Sequence, residues 1–279
     1  MGKPSSNGHD QVVVVTGASG GIGRATARQF GARGAQVALL ARGEKGLAGA
    51  AHEVETAGGK AMSLSVDIAD PRQVERAAGE VERRFGPIDV WINVAFTSIF
   101  APFHEISADE YKRVTEVAYL GYVYSTMAAL RRMRARDQGA IVQPKQAQPV
   151  PPIYQPEVAA SAVVYAADHP KRREYWVGGT TTATLIADKF APGLLDRYLS
   201  ITAYKSQQTD QPRPQDQPAN LWDAADGPNG RDFGAHGMFD ARSTDRSYQL
   251  WASQHHGLLG GIAGAVAAAA GITGLAMRR

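Results

Sequence analysis

Short apolar runs recur along the first half of the chain at intervals that suit a strand followed by a helix. The first four begin at residues 12, 37, 62 and 90, which are 25 to 28 residues apart. Continuous rather than alternating apolar runs are typical of strands that are buried on both faces of a parallel sheet. We therefore predict five parallel strands, at Val12–Val15, Val37–Leu40, Met62–Val66, Val90–Ile92 and Ala140–Val142.

The stretches between these runs carry apolar residues at helical spacing. The first predicted helix stops at Gly34, and a longer one runs from Tyr111 to about Arg136. Strands that alternate with helices in this way predict an α/β fold, a Rossmann-type doubly wound parallel sheet over residues 11–143. Such a sheet is the usual frame of a dinucleotide-binding region.

Clustered prolines interrupt this alternation directly after the fifth predicted strand. A proline has no amide proton and disfavours helix at the preceding residue, so the stretch can form neither a crossover helix nor a central strand. We predict a linker over residues 144–156 and a sheet that is incomplete after its fifth strand. The prolines are Pro144, Pro149, Pro151, Pro152 and Pro156.

The rest of the chain divides by composition. Residues 157–204 are predicted to be a remnant of the C-terminal part of the Rossmann domain, with a helix from Pro156 and a short strand at Tyr175–Val177. Residues 205–256 are rich in Gln, Asp, Pro, Gly and Arg, and we expect them to be irregular or disordered because little apolar surface offsets the ordering entropy. Residues 1–10 are expected to form a flexible leader.

The segment 257–277 contains 21 uncharged residues. We predict that it forms an apolar helix at the end of an irregular C-terminal extension. A helix of that length rises about 30 Å, enough to span the hydrocarbon of a bilayer. Its Ala/Gly-rich composition is only modestly hydrophobic, and Arg278 and Arg279 follow it. Three alternatives stay open: a transmembrane helix, a helix lying on a membrane, or a soluble helix packed against a partner.

Composition excludes several classes of site. The chain has no cysteine, which excludes disulfides, thiolate catalysis and zinc–sulfur sites. Its net charge of +3 comes without a basic stripe, so we expect no nucleic-acid partner, and its seven histidines lack metal-ligand spacing. The polar N-terminus lacks the apolar core of a secretory signal. We expect a cytoplasmic protein, membrane-associated if 257–277 binds lipid, and the oligomeric state, a homo-oligomer included, stays open.

A glycine-rich turn joins the first predicted strand to the first helix. Glycines let the backbone turn tightly beside a pyrophosphate, and the helix N-terminus offers free amides and the positive end of the dipole. A turn that merely links strand to helix is disfavoured, because the glycines occupy the first strand–helix junction of a βαβ unit. The turn reads Thr16, Gly17, Ala18, Ser19, Gly20, Gly21, Ile22 and Gly23.

These residues resemble the cofactor fingerprint of the short-chain dehydrogenases/reductases, in which Thr-Gly-x-x-x-Gly-x-Gly binds a nicotinamide dinucleotide. Val66-Asp67-Ile68 is similar to the family's aspartate after the third strand, which implies that Asp67 and Ile68 lie near the adenine ring. Asn93 and Ala95 match the family's Asn-Asn-Ala-Gly stretch, in which Val94 and Phe96 replace the second Asn and the Gly. The resemblance is strong over about residues 10–143 and weak over 156–204.

The residue after the second strand favours NADP over NAD. NAD sites usually carry an acid about 20 residues beyond the glycines, which accepts hydrogen bonds from the ribose. Here the chain has Arg42, which can pair with a 2′-phosphate. Alternatively, Arg42 is a solvated loop residue.

The catalytic groups that the resemblance implies are missing from the chain. Members of the family transfer hydride with the help of Tyr-x-x-x-Lys and a serine beyond the fifth strand, whose place is taken here by the proline-rich linker. None of the ten tyrosines has a lysine four positions later, and Ala118 replaces a helix asparagine of the family's proton relay. We therefore assign no catalytic residue and no metal ligand.

Three hypotheses follow for the function. The first is an NAD(P)-dependent oxidoreductase by resemblance, acting on a carbonyl or alcohol and catalytically impaired, with an internal deletion as the simplest explanation. The second is a nucleotide-binding pseudoenzyme or a membrane-associated partner of an intact relative. The third is a poorly folding product without function, which would neither bind cofactor nor melt cooperatively.

Overall fold

The computed structural model describes residues 10–99, 101–142, 153–172, 174–206, 220–237 and 239–257. The predicted leader 1–10, apart from Asp10, and most of the predicted linker 144–156 lie outside this part of the chain. The apolar segment 257–277 is represented in it by Gly257 alone.

Five parallel strands form the central sheet in the order β3-β2-β1-β4-β5. The order reverses beside β1, as in a doubly wound Rossmann sheet, so the prediction of fold class is confirmed. The innermost strand, β1, is buried along its whole length, which explains its unbroken valine run. The strands are β1 Val12–Thr16, β2 Gln36–Ala41, β3 Lys60–Ser65, β4 Val90–Asn93 and β5 Ala140–Val142.

Helices cover both faces of the sheet. On one face Phe30, Leu47 and Val163, from three different helices, pack with Val13 and Val15 of β1. The opposite core includes buried apolar side chains from two further helices, which pack with the other face of the strands. The helices on the first face are α1 Gly21–Gly31, α2 Glu44–Thr56 and α6 Pro156–Asp168, and those on the second are α3 Pro71–Phe85 and α5 Gly121–Arg136.

The long helix predicted from Tyr111 to Arg136 is present in three pieces. Helix α4, Ala108–Thr115, begins with a capping box in which Ser107 and Glu110 satisfy each other's backbone amides. A π-helical turn, Glu116–Leu120, follows and leads directly into α5. Single π turns inside helices are frequently found at functional sites.

Helix α6 completes the sheet's first face, and the later elements lie outside the main core. Strands β6, Ile153–Tyr154, and β7, Ser243–Thr244, pair in parallel, so a two-residue strand lies inside the predicted linker. Two helices, α7 Gly179–Phe190 and α8 Pro192–Ser206, follow, and α7 contains no buried residue.

The prediction of a strand at Tyr175–Val177 was wrong. Residues 174–177 have no ladder partner. Val177 instead packs on a small cluster of Val158, Ala162 and Leu250, which explains the apolar character of this stretch.

We expected residues 205–256 to be irregular or disordered, and this expectation was wrong for the last part of that range. Residues 220–237 form turns without helix or strand, whereas residues 239–257 contain β7 and α9, Tyr248–Gln254. Ser247 caps α9 by accepting a hydrogen bond from the Leu250 amide, and buried Leu250 packs on α6. Among the helices within the described ranges, none combines the length and apolar character needed to cross a bilayer.

Candidate functional site

The turn between β1 and α1 requires glycine at two positions. Gly17 has a φ of +68°, and a Cβ there would lie 2.6 Å from the Ala95 Cα. A Cβ on Gly23 would lie 2.2 Å from the Gly17 carbonyl oxygen. Side chains at either position would push α1 away from the strands, so the glycines hold the first turn of α1 close to the edge of the sheet.

Thr16 fixes the ends of the two innermost strands against each other. Its hydroxyl donates to the Ile92 carbonyl and accepts from the amides of Val94 and Ala95, at 3.1 and 3.2 Å. The residue is fully buried. Thr16 was predicted to bind cofactor, but it does not line the site itself. It positions the segment after β4, which does.

Asn93 is likewise buried in the core. Its side-chain oxygen accepts from the Trp91 indole at 3.0 Å, and its amide donates to the Thr126 hydroxyl at 3.3 Å. These bonds join β4 to α5 beneath the π-helical turn. The structure therefore gives Asn93 a structural position, away from the lining of the cleft.

A cleft of about 360 Å³ opens at the carboxyl ends of β1, β2, β3 and β4. In open α/β sheets ligands bind outside the carboxyl ends of the strands, where the strand order reverses. The predicted residues Gly17, Ser19, Gly20, Ile22, Gly23, Arg42, Asp67, Ile68 and Ala95 line it. Residues that the sequence did not single out complete the lining: Leu40, Ala41, Gly43, Val66, Val94, Phe96, Thr97, Val117, Tyr122, Asn220, Ala224 and Asp226.

Gly21 stands at the opening of α1 without lining the cleft. It has a φ of +50°, and its amide donates to the Gly234 carbonyl at 3.3 Å. Gly20, the N-cap of α1, is extended and no side chain caps this end of the helix. The first turn of α1 also contains no acidic residue. The free amides and the positive dipole end there suit a phosphate group.

Arg42 and Asp67 lie at the end of the cleft formed by β2 and β3. The Asp67 carboxylate accepts from Arg113 and from the Ala69 amide, so it is already engaged by protein groups. Burial lowers the pKa of the Arg42 guanidinium, and the nearby Asp67 charge opposes that shift. Arg42 is not a solvated loop residue, because its guanidinium donates to backbone carbonyls of residues 220–222.

Tyr122 is an ionisable side chain that lines the cleft beside the π-helical turn. Burial raises the pKa of its phenol to about 12. The hydroxyl therefore keeps its proton at neutral pH and is poorly matched to acid–base catalysis, which works best with a pKa near the working pH. Thr97, which is buried, also lines the cleft.

The sequence of residues 11–145 matches the family model described as short chain dehydrogenase. Among similar proteins, "Uncharacterized oxidoreductase YxnA" of Bacillus subtilis is 28% identical, over 80% of this chain and 80% of its own. The 3-dehydrosphinganine reductase of Danio rerio is 39% identical over 47% of this chain and 41% of its own. The L-rhamnose 1-dehydrogenase (NAD(P)(+)) of Azotobacter vinelandii is 34% identical over 48% of this chain and 54% of its own. The chain thus spans about half or less of these last two relatives.

Solved structures have the same fold. A metagenomic short-chain oxidoreductase, crystallised in complex with NADP, superposes with a TM-score of 0.51 and 25% identity. The superposition covers 57% of this chain and 91% of that chain. Residues 11–145, which contain the glycine turn, the five parallel strands and most of the residues that line the cleft, are thus similar to short-chain dehydrogenases/reductases.

Proposed function

We infer that the cleft binds a nicotinamide dinucleotide, with its phosphates at the first turn of α1. The observation that carries this is the close packing at Gly17 and Gly23, which leaves the uncapped N-terminus of α1 facing the cleft. Ser19, Gly20, Gly21 and Ile22 would surround the phosphates, while Asp67 and Ile68 would face the adenine. Ala95 would lie toward the nicotinamide. When bound, this cofactor supplies hydride exchange with a carbonyl or alcohol.

Within that proposal, NADP is favoured over NAD. Arg42 lies directly after β2, where the ribose 2′ group of a dinucleotide is recognised. A guanidinium pairs well with phosphate, and no acid follows β2 at this position to bind a 2′-hydroxyl. The preference rests on Arg42 being able to exchange its present carbonyl partners for a phosphate.

We further propose that hydride transfer is impaired. The ionisable side chains among the described lining residues are Arg42, Asp67, Tyr122 and Asp226, and Tyr122 has a pKa of about 12. The alignment with YxnA supports an internal deletion. The alignment is 287 positions long, which exceeds the 279 residues of this chain, although it includes only 80% of them. The alignment therefore contains stretches in which YxnA has residues and this chain has none.

The second candidate is a nucleotide-binding pseudoenzyme that acts through a partner. Its support is the contrast between a well-formed phosphate-binding turn and the absence of any Tyr-x-x-x-Lys in the sequence. Anchoring by the segment 257–277 stays a prediction, because that segment lies beyond the described residues except for Gly257. The proposed division of the chain at 143, 156, 204 and 256 is likewise a hypothesis.

Thermal unfolding followed by an activity assay separates these candidates. NADPH should raise the melting temperature more than NADH at equal concentration, because ligand that binds only the folded state stabilises it. Turnover of a panel of aldehydes and ketones with NADPH should be absent or very slow. Rapid turnover would contradict the impairment, and a cofactor-independent, non-cooperative melt would contradict both candidates.

A further inference from the structure

The segment 220–237 lies across the end of the cleft where the 2′ group of a dinucleotide would bind. Its backbone carbonyls at residues 220, 221 and 222 accept hydrogen bonds from the Arg42 guanidinium, at 2.6, 3.1 and 2.8 Å. The Asn220 side-chain oxygen accepts a fourth bond, at 3.1 Å. The donors that would pair with a 2′-phosphate are therefore engaged by a distant part of the same chain.

A second set of polar contacts holds the segment on α1. The Asp232 carboxylate accepts from Arg24, whose side chain is only 4% exposed and which also donates to Glu53. The Gly234 carbonyl accepts from the Gly21 amide, one of the amides that would face a pyrophosphate. Lys45 adds a bond from its Nζ to the Gly230 carbonyl at 2.8 Å.

Between these contacts, Asp226 places a buried carboxylate beside the start of α2. The residue is 8% exposed, and it lies so close to Gly43 and Gly46 that a Cβ on either would come within 2.1 Å of a carboxylate oxygen. Its own carbonyl accepts from the Lys45 amide at 3.1 Å. The negative charge thus lies at the N-terminus of a helix and beside Gly43, the residue that follows Arg42.

We propose that Asp226, carried on the segment 220–226, determines cofactor choice by competing with the 2′-phosphate for the space beside Arg42, while residues 220–222 engage the Arg42 donors. With the segment seated, the charge of Asp226 reduces the advantage that Arg42 gives a 2′-phosphate over a 2′-hydroxyl. NADP(H) gains its pairing with Arg42 only when the segment leaves. This inference rests on the proposed dinucleotide site and deepens it, since the preference set by Arg42 becomes conditional on a second region of the chain.

The test compares the affinities of NADPH and NADH for the full chain and for Asp226→Asn. The substitution is nearly isosteric and removes the charge that would repel a 2′-phosphate. We expect the dissociation constant for NADPH to fall about tenfold, while that for NADH changes less than about twofold. Asp245→Asn is the matched control, because it removes one negative charge from an exposed side chain outside the segment 220–237. It should leave both constants unchanged.

An unchanged ratio of NADPH to NADH affinity in Asp226→Asn, or weaker NADPH binding, would overturn the proposal. If neither cofactor binds to any of the proteins, the dinucleotide site itself is refuted, and the two failures are therefore distinguishable. Melting temperatures of both variants establish that they are folded.

Hydrogen exchange provides a second, independent readout on the wild-type chain. Saturating NADPH should increase exchange in peptides from 220–237, because the segment must leave Arg42 and Gly21 to admit the phosphates. Saturating NADH should increase it less. An equal change in the hydrogen exchange of this segment with both cofactors would contradict the competition.

Discussion

At the scale of single residues, the short distances around the β1–α1 turn explain why the glycine pattern could be recognised from sequence. Gly23 is fixed by backbone atoms of Gly17 in the same turn, and Gly17 by its positive φ and by the backbone of Ala95 after β4, so part of the constraint is local to the motif. The residues that the sequence missed have no such local signature. Asp226 and Asn220 reach the cleft from about 180 residues away in the chain.

Gly23→Ala should destabilise the fold and weaken cofactor binding. The new methyl group would lie 2.2 Å from the Gly17 carbonyl oxygen, so α1 must shift away from β1. We expect the free energy of unfolding to fall by about 1–3 kcal/mol, measured by urea denaturation. Gly79→Ala in α3 is the control, because its Cβ would meet side-chain atoms at an ordinary 3.6 Å. It should be neutral or stabilising by up to about 1 kcal/mol. Equal effects of the two would contradict the close-packing argument.

Asp232 should give the fold a measurable dependence on acid pH. The hydrogen bond from Arg24 lowers the pKa of the Asp232 carboxyl below its usual 3.8. A lowered pKa in the folded state means that the stabilisation is complete above the unfolded pKa and is lost as the pH falls through the folded one. Asp232→Asn should therefore cost about 1 kcal/mol of unfolding free energy at pH 7.

Denaturant melts of wild type and Asp232→Asn from pH 7 down to pH 3 provide the measurement. The difference between the two proteins should be constant above about pH 5 and should shrink below about pH 4. A difference that grows as the pH falls would contradict the sign of the shift and with it the Arg24–Asp232 contact.

At the scale of elements, the central sheet could be predicted because its strands are marked by composition. β1, β2 and β4 are buried on both faces, which forces continuous apolar runs that no surface strand would show. The strand predicted at Tyr175–Val177 has the same local appearance but lacks a neighbouring strand. Its apolar residue packs on a side cluster instead, which a local pattern cannot distinguish from sheet burial.

The contacts of the segment 220–237 could not be predicted for a different physical reason. The segment has too little apolar surface to be ordered by apolar packing, and polar contacts hold it in place instead. Backbone carbonyls bind Arg42, and Asp232 binds Arg24. Carbonyl acceptors exist at every residue of any sequence, so nothing in the composition marks these particular ones.

Helix α6 should be an integral part of the core rather than a detached remnant. Val163 is 3% exposed and packs in the cluster that contains the valines of β1. Val163→Ala should lower the free energy of unfolding by about 2 kcal/mol, measured by urea denaturation. Ile186→Ala on α7, where the side chain is 45% exposed, should change it by less than about 0.5 kcal/mol. Similar values for the two would contradict the assignment of α6 to the core.

At the scale of the whole molecule, a region that matches a family model is joined to a later region that lies outside the match. The match to the family ends at residue 145, three residues beyond β5. The region after it contributes α6 to the core and the segment 220–237 to the rim of the cleft. This division of the chain supports the proposal that it binds a dinucleotide and that hydride transfer is impaired.

Calorimetric titration of the purified full chain with NADPH and with NADH tests the central claim most directly. We expect saturable binding of at least one cofactor to a single site, strongly weakened in Gly23→Ala, because the proposed phosphate-binding element is the turn before α1. The absence of saturable binding by either cofactor to a cooperatively folded wild-type protein would contradict it.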